Sequence, residues 1–246
     1  PHTKLEAGRF NYYLMDGNII DKRIDGLRFR TGGEDWPHGS LTVFAGRTTG
    51  TASSQKDGFS LLWKKRTGKL GFHTAYLDFR QREKLPKSYP QLRQLGLTAG
   101  RAGHGYDHQR IFSAAIRYHP REDWTLGLEL LQAQGRHEAD DYRENERGFV
   151  ACLQYGQLDE EEAGSFSSWI RYYDQPSASV LWHTMDADAG FFRRQGFRGL
   201  GVRTDYVITP GLSCAIEGFR LENRKESTLL SHMHQYVLGT SITAYF

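Results

Sequence analysis

The feature that most constrains this chain is an alternation of apolar and polar residues that recurs in one segment after another. In residues 111–118, Phe112, Ala114, Ile116 and Tyr118 alternate with smaller or polar residues. A period of two places successive side chains on opposite faces of a β-strand. The pattern recurs between turn signals and predicts twelve strands, at residues 4–14, 24–31, 40–48, 58–66, 69–79, 108–119, 123–134, 146–156, 165–173, 195–208, 211–222 and 233–246.

The connections between the predicted strands alternate between short and long. The shortest are residues 67–68, 120–122 and 209–210, and the 2–3 and 8–9 connections are also fairly short. Transmembrane barrels have short turns on one side and long loops on the other, whereas a soluble sandwich has no reason to sort them. The chain is therefore predicted to be all-β, a closed transmembrane antiparallel up-and-down β-barrel that forms one domain over residues 1–246. The long connections are residues 80–107, 135–145, 174–194 and 223–232.

The composition agrees with strands that have one apolar and one wet face. Hydrophobic residues make up 38% of the chain and aromatic residues 13%, and there is no run of about 20 apolar residues that predicts a membrane helix. The net charge of +3 is far from that of a nucleic-acid-binding domain, so no nucleic acid partner is expected. Cys152 and Cys214 fall on opposite faces of non-adjacent predicted strands, which argues against a disulfide and against a metal framework.

The end of the chain resembles the C-terminal signal of bacterial outer-membrane barrels. Phe246 closes a strand whose apolar residues alternate back from it, although Ala244 stands where such strands usually carry a larger apolar side chain. The resemblance implies a location in the bacterial outer membrane of a Gram-negative cell. It also implies assembly by the barrel-assembly machinery, which recognises this strand and its final Phe246.

Two further stretches resemble the barrel part of porins from outer-membraned relatives of the Firmicutes. One is residues 6–10 followed by Asp16, Asp21 and Asp25, and the other is residues 195–206. Those porins carry an S-layer-homology domain that binds the cell wall. The resemblance implies an upstream wall-binding domain, further strands and a homotrimeric pore in contact with outer-membrane lipid and small hydrophilic solutes, with no cofactor. Pro1 begins in polar sequence without a signal peptide, so we expect that a leader has been removed or that further chain precedes it.

The polar face of the predicted strands supplies candidates for the lining of a channel. The cations among them outnumber the anions, and a charged wall in a narrow aqueous channel concentrates the opposite ion. The predicted function is passive diffusion of small hydrophilic solutes or ions, with a mild preference for anions. The alternative is that these charges pair with one another along a solvated wall. The candidates are Arg9, Arg28, Arg30, Arg47, Lys64, His73, Arg117, Glu129, Arg171, Arg203, Asp205 and Glu217.

The long connection 80–107 is a candidate for a constriction. It contains Leu92, Leu95 and Leu97 at helix-compatible spacing, and a loop that lies wholly in water has less need of them. By analogy with porins, this loop is predicted to fold inward and narrow the channel, and the alternative is an exposed loop. Its basic residues are Arg80, Arg82, Lys84, Lys87, Arg93 and Arg101.

Catalysis on the same scaffold is the main alternative function, since some twelve-stranded barrels are phospholipases. Ser231, His232 and His234 lie together, but the Ser-Asn-Gly that follows the His in those lipases is missing. His232 and His234 share a strand face and could bind a metal, although rim residues beside lipid headgroups are the simpler interpretation. We expect neither enzymatic activity nor a bound metal. The alternative interpretations are a hydrolase, a non-conducting anchor barrel and a soluble β-sandwich. Acidic groups that resemble those of outer-membrane proteases are Asp140, Asp141, Asp186 and Asp188 with His183.

Overall fold

One antiparallel sheet of twelve strands forms the structure, and its spatial order is the order of the chain. This computed structural model describes residues 3–49, 55–82, 106–137, 142–181, 195–225 and 233–244. The predicted all-β, up-and-down arrangement is confirmed. The strands are β1 (Thr3–Leu14), β2 (Ile20–Gly32), β3 (Ser40–Thr48), β4 (Lys56–Thr67), β5 (Leu70–Gln81), β6 (His108–Tyr118), β7 (Trp124–His137), β8 (Tyr142–Gln157), β9 (Phe166–Gln175), β10 (Phe197–Thr209), β11 (Leu212–Asn223) and β12 (His234–Ala244).

The two ends of the sheet differ in their connections, as the sequence predicts. Thr3 at the start of β1 pairs with Thr31, and Ala244 at the end of β12 pairs with Leu212, so these strands begin and finish at the same end. We call this the turn end, because the connections there are short. The opposite end, which carries the long connections 82–107, 176–196 and 224–233 together with residues 15–19, is the loop end. The prediction of a long connection at residues 135–145 is wrong, because the pairing of β7 and β8 continues to His137 and Tyr142 and leaves only residues 138–141 between them. The connections at the turn end are residues 33–39, 68–69, 119–123, 158–165 and 210–211.

Many large apolar side chains of the strands point away from the interior, while a buried apolar cluster that includes Phe44, Phe79 and Leu131 lies on the inner face. On β7, Leu128 and Leu130 are 42% and 57% exposed, whereas Glu129 and Leu131 beside them are 5% and 2% exposed. We call the face of these exposed leucines the outer face and the opposite one the inner face. An apolar outer band around an inner face that buries charged groups is typical of a barrel in lipid, and it disfavours the soluble sandwich.

Two glycines on the inner face make room for large aromatic rings. A Cβ atom on Gly26 would lie 2.8 Å from the ring of Phe44, and one on Gly201 would lie 2.7 Å from the ring of Phe219. Phe44 is fully buried and stacks on Tyr12 with ring centroids 5.0 Å apart. Glycine is therefore required where an inner ring crosses the backbone of a neighbouring strand.

The predicted closure of the barrel is absent from the part of the chain that the structure describes. β1 pairs only with β2 and β12 pairs only with β11, which leaves two free edges. Leu5 on β1 and Leu238 on β12 are 69% and 79% exposed, well above Leu128 in the middle of the sheet. These outer side chains are more exposed because each edge strand has a neighbour on one side only.

Cys152 lies on the inner face of β8 and Cys214 on the outer face of β11, so they occupy opposite faces as predicted, and both are free thiols. Within the described ranges, no three His, Cys, Asp or Glu side chains are grouped as metal ligands would be. No helix in those ranges is long and apolar enough to cross a membrane, a finding that does not bear on strands.

Candidate functional site

Residues 15–19, which join β1 to β2, fold against the inner face of distant strands. Leu14, Ile19 and Ile20 on either side of the turn are fully buried, so this connection cannot lie in water as an ordinary loop would. Met15 and Asp16 have positive φ angles of 52° and 56°, a conformation that non-glycine residues adopt at a cost of about 1–3 kcal/mol. The strained turn persists because the surrounding strands hold it in place.

Charged side chains of the inner face hold this turn. Asn18 Nδ2 donates to Glu129 Oε2 at 2.6 Å, and Arg117 forms an ion pair with the Asp16 carboxylate. Arg171 Nη1 donates to the Asp16 carbonyl oxygen at 2.6 Å and to Asn18 Oδ1 at 3.3 Å. The turn thus bridges β6, β7 and β9 through side chains that lie more than 100 residues away in sequence.

The groups that hold the turn are themselves buried and bonded. Glu129 is 5% exposed and also accepts a hydrogen bond from Ser113 Oγ at 2.5 Å. Gln175 Nε2 donates to the Asn18 carbonyl oxygen at 3.1 Å. A buried charge is tolerated only when its polar atoms are paired, so the turn and the inner face stabilise each other.

A second segment, residues 176–181, also lies on the inner face, beside β6, β7 and β8. Gln109 Nε2 donates to the carbonyl oxygens of Ala178 and Val180 at 2.8 and 2.9 Å, while its Oε1 accepts from the buried Lys56 Nζ. Ser177 Oγ donates to Glu144 Oε2 at 3.0 Å. These contacts fix a second inward segment at the loop end of the sheet.

A cavity of about 580 Å³ lies between the turn 15–19 and the inner face of β8 to β11. Its wall mixes aromatic rings with ionised groups. The Arg171 guanidinium lies 4.1 Å from the centroid of the Trp169 ring, an arrangement that stabilises a cation beside an aromatic face. Such a wall suits hydrated polar solutes. The lining includes Tyr13, Asp16, Trp169, Arg171, Arg203 and Asp205.

Most of the predicted lining residues do lie on the inner face, in three groups. Arg117, Glu129 and Arg171 contact the turn 15–19, as described above. Arg203 lies apart from them and binds Asp205 at 2.8 Å and Glu217 at 3.1 Å. The two carboxylates of this second group share one guanidinium, which is the mutual pairing that the sequence left open.

The remaining inner-face candidates lie on β2, β4 and β5. Arg28 Nε donates to Glu6 Oε2 at 2.6 Å, and its guanidinium lies 4.4 Å from the ring centroid of Phe10. Lys64 Nζ lies 3.3 Å from Glu34 Oε1, and His73 is buried nearby with Nε2 3.9 Å from the same carboxylate group. Arg30 also faces inward and is exposed. These residues surround the turn-end half of the interior.

The prediction that Arg9 and Arg47 line the channel is wrong, because both residues lie on the outer face. Arg9 Nε is 2.7 Å from Asp25 Oδ1, and Arg47 Nε is 2.7 Å from Asp57 Oδ1. Their strand phase is that of outward apolar residues such as Leu41 on β3. The prediction assigned them by charge, but strands extend beyond the apolar band, and outward side chains there meet a polar environment.

The predicted constriction loop is only partly described. Arg80 belongs to β5 and faces outward, 3.5 Å from Asp78 Oδ1, so it is not an inward residue, and Arg82 just after β5 is exposed. The described inward segments are instead residues 15–19 and 176–181, which the sequence analysis missed. The signal was present, because large apolar residues flank the short polar turn at 16–18. Lys84, Lys87, Arg93 and Arg101 lie outside the described residues.

The residues weighed for catalysis do not converge in the described part of the chain. His234 lies on the outer face of β12, with Nδ1 3.8 Å from Glu222 Oε2. The predicted assembly residue Phe246 lies outside the described residues. So do the catalytic candidates Ser231, His232, Asp140, Asp141, His183, Asp186 and Asp188.

No protein-family model matches this chain, and no curated protein matches its sequence. Among solved structures, the chain is similar to OccK5 (OpdH) of Pseudomonas aeruginosa, an outer-membrane porin, with a TM-score of 0.53 and 12% identity over 100% of this chain and 68% of OccK5. The similarity shows the fold alone, an antiparallel up-and-down sheet of the kind that forms the barrel of OccK5. A second porin of that organism, OccD3 (OpdP), has a TM-score of 0.42 and 12% identity over 99% of this chain and 75% of OccD3. The narrower resemblance to porins with an S-layer-homology domain stays a prediction.

Proposed function

We propose that this chain forms an outer-membrane channel for the passive diffusion of small hydrophilic solutes. The observation that carries the proposal is the turn 15–19, which crosses to the inner face and leaves a charged cavity beside it. A structural plug would need only apolar packing, whereas this cavity keeps ionised and aromatic groups at its wall. The porin fold that the chain shares with OccK5 supports the same function.

The outer face supports a place in a bilayer. Tyr, Trp and Leu side chains that are 36% or more exposed cover it, and such a surface is stable only in contact with lipid. In lipid, the free edges of β1 and β12 must be paired, because each unpaired backbone group would cost several kcal/mol. Direct contact between β1 and β12, or further strands between them, would close the wall.

A mild preference for anions is the finer part of the proposal. In the turn-end half, the inner faces of β2 and β4 carry Arg28, Arg30, Lys64 and Arg66. Arg28 pairs with Glu6 and Lys64 with Glu34, whereas no ion pair of Arg30 or Arg66 is found among the described residues. The inner carboxylates of β10 and β11 are bound to Arg203 instead. The positive potential is therefore concentrated in the turn-end half of the interior, where it would attract anions.

Single-channel conductance in a planar bilayer under a salt gradient tests both parts. We expect discrete steps and a reversal potential on the anion side, from protein whose folding is verified by heat-modifiable gel migration. Folded protein that gives no steps would overturn the channel, and cation selectivity would overturn only the anion preference. The double variant Arg30→Gln and Arg66→Gln should reduce the preference for anions, whereas outer-face Arg198→Gln should not change it.

A further inference from the structure

Gln175, the last residue of β9, lies between the two inward segments and contacts both of them. The residue is fully buried, and its Nε2 atom donates to the Asn18 carbonyl oxygen at 3.1 Å and to Ser179 Oγ at 3.3 Å. A glutamine amide nitrogen carries two hydrogens, so one group makes both bonds at once, one to each segment. Gln175 therefore joins the turn 15–19 directly to residues 176–181.

The two segments lie at neighbouring levels of the same wall, the inner face of β6. Gln109 donates to two carbonyl oxygens within residues 176–181. Four residues along the strand, Ser113 donates to Glu129, which also accepts from Asn18 of the turn. At about 3.3 Å per residue, these two levels are about 13 Å apart. A solute that follows this wall from the loop end would pass both segments in succession.

Apolar packing joins the segments as well, and backbone strain opposes it. Ile19 of the turn and Ala178 and Leu181 of the second segment are fully buried in one apolar cluster, so departure of either segment would expose surface that the cluster now covers. Met15 and Asp16, with their positive φ angles, make the turn locally unfavourable. The turn therefore stays on the inner face only as long as its distant contacts hold it.

We propose that residues 15–19 and 176–181 form a single gate of the channel, and that Gln175 couples them so that they leave the inner face together. The proposal rests on the channel of the proposed function and adds a positioning residue and a conformational step to it. If the turn leaves, one Nε2 hydrogen of Gln175 loses its partner, and the side chain is no longer fixed where it holds Ser179. Coupling between two sites is reciprocal, so release of residues 176–181 must loosen the turn to the same degree.

Hydrogen exchange, measured by mass spectrometry on the whole chain in detergent, tests the coupling because each segment contains hydrogen-bonded amides. The Asn18 amide donates to the Met15 carbonyl oxygen at 3.0 Å, and the Ser179 amide donates to the Pro176 carbonyl oxygen at 3.0 Å. The double variant Asp16→Ala and Asn18→Ala releases the turn and leaves residues 176–181 unchanged. It should nevertheless accelerate exchange of the Ser179 amide about tenfold.

The same release is then made in two matched backgrounds. In Gln175→Leu, which keeps a side chain of similar size without its amide group, release of the turn should accelerate exchange at Ser179 less than about twofold. Gln154→Leu is the control, because Gln154 Nε2 donates to Ser167 Oγ at 3.1 Å, and there the tenfold acceleration should persist. Ser179→Ala breaks the same link from the second segment with a smaller change to the core, and it should also prevent the acceleration.

Two results would overturn the coupled gate. Unchanged exchange at Ser179 after release of the turn would mean that the segments move independently, and equal acceleration in the Gln175→Leu background would mean that Gln175 does not couple them. Conductance recorded on the same samples keeps the two proposals apart. Coupled exchange in protein without channel steps would contradict the channel alone, and channel steps with independent exchange would contradict the coupling alone.

Discussion

The arginines of the inner face and those of the outer face make opposite kinds of contact. Arg171 is 7% exposed, stacks on Trp169 and donates to the backbone of the turn 15–19. Arg9 on the outer face has a side chain that is 62% exposed and one partner, Asp25. The same residue type therefore holds an inward turn in one region and forms a partly exposed ion pair on the outer face in the other.

The difference follows from burial. A guanidinium taken out of water must recover its lost hydration from several fixed partners, so the inner arginines order the segments that they contact. An exposed ion pair contributes little to stability, because water already solvates both charges. Strand phase decides the face, and the level along the strand decides whether the outer face meets hydrocarbon or headgroups. Four predictions test this comparison.

The position of an introduced charge along the outer face should have the largest effect on the free energy of unfolding. Leu128→Arg places a charge in the middle of the apolar band and should lower the free energy of unfolding by about 2–4 kcal/mol. Gln134→Arg, on the same face of β7 but near the loop end, should change it by about 0–1 kcal/mol. Urea titration in lipid vesicles, followed by tryptophan fluorescence, measures both, and similar losses would contradict the position of the apolar band.

Crowding on the inner face should have the next largest effect on the free energy of unfolding. Gly201→Ala would place a methyl group 2.7 Å from the ring of Phe219, and it should lower the free energy of unfolding by about 1–3 kcal/mol. Gly127→Ala is the matched control, because its new Cβ would lie 3.5 Å from Cys152 Cβ, an ordinary contact. If the two variants had equal urea midpoints, the inner face near Phe219 would be less tightly packed than the structure shows.

Release of the turn 15–19 should change conductance. The double variant Asp16→Ala and Asn18→Ala removes the side chains that contact Arg117 and Glu129, so the turn should leave the inner face and unitary conductance should rise about twofold. Asp25→Ala, on the outer face of β2, is the control and should leave conductance unchanged. Unaltered conductance in the double variant, verified as folded, would mean that the turn does not limit the channel.

The exposed outer ion pairs should have the smallest effect. Arg9→Gln should change the free energy of unfolding by about 0–1 kcal/mol, because its partner Asp25 is also partly exposed. The effect should disappear in about 1 M salt, where charges are screened within a few ångströms. A larger or salt-independent loss in the same urea titration would show that this outer pair is buried in the folded protein.

The sequence was a good guide to the strands and a poor guide to the inward segments. Alternation along β6, β7 and β8 is a local signal, since each position reports whether its own side chain faces lipid or the interior. The turn 15–19 gave a weaker signal, because its partners Glu129 and Arg171 lie more than 100 residues away. Arg9 and Arg47 were misplaced because charge was given more weight than phase.

The sequence by itself determined the number of strands, their antiparallel order, the sorting of short turns from long loops and the face of most side chains. These properties depend on a period of two and on turn residues, both of which can be counted along the chain. The tertiary structure alone decided that residues 15–19 and 176–181 fold inward, which inner charges pair, and that β1 and β12 lie apart in the described sheet. Those outcomes depend on which distant side chains the sheet brings within hydrogen-bonding distance, and no local pattern encodes such distances.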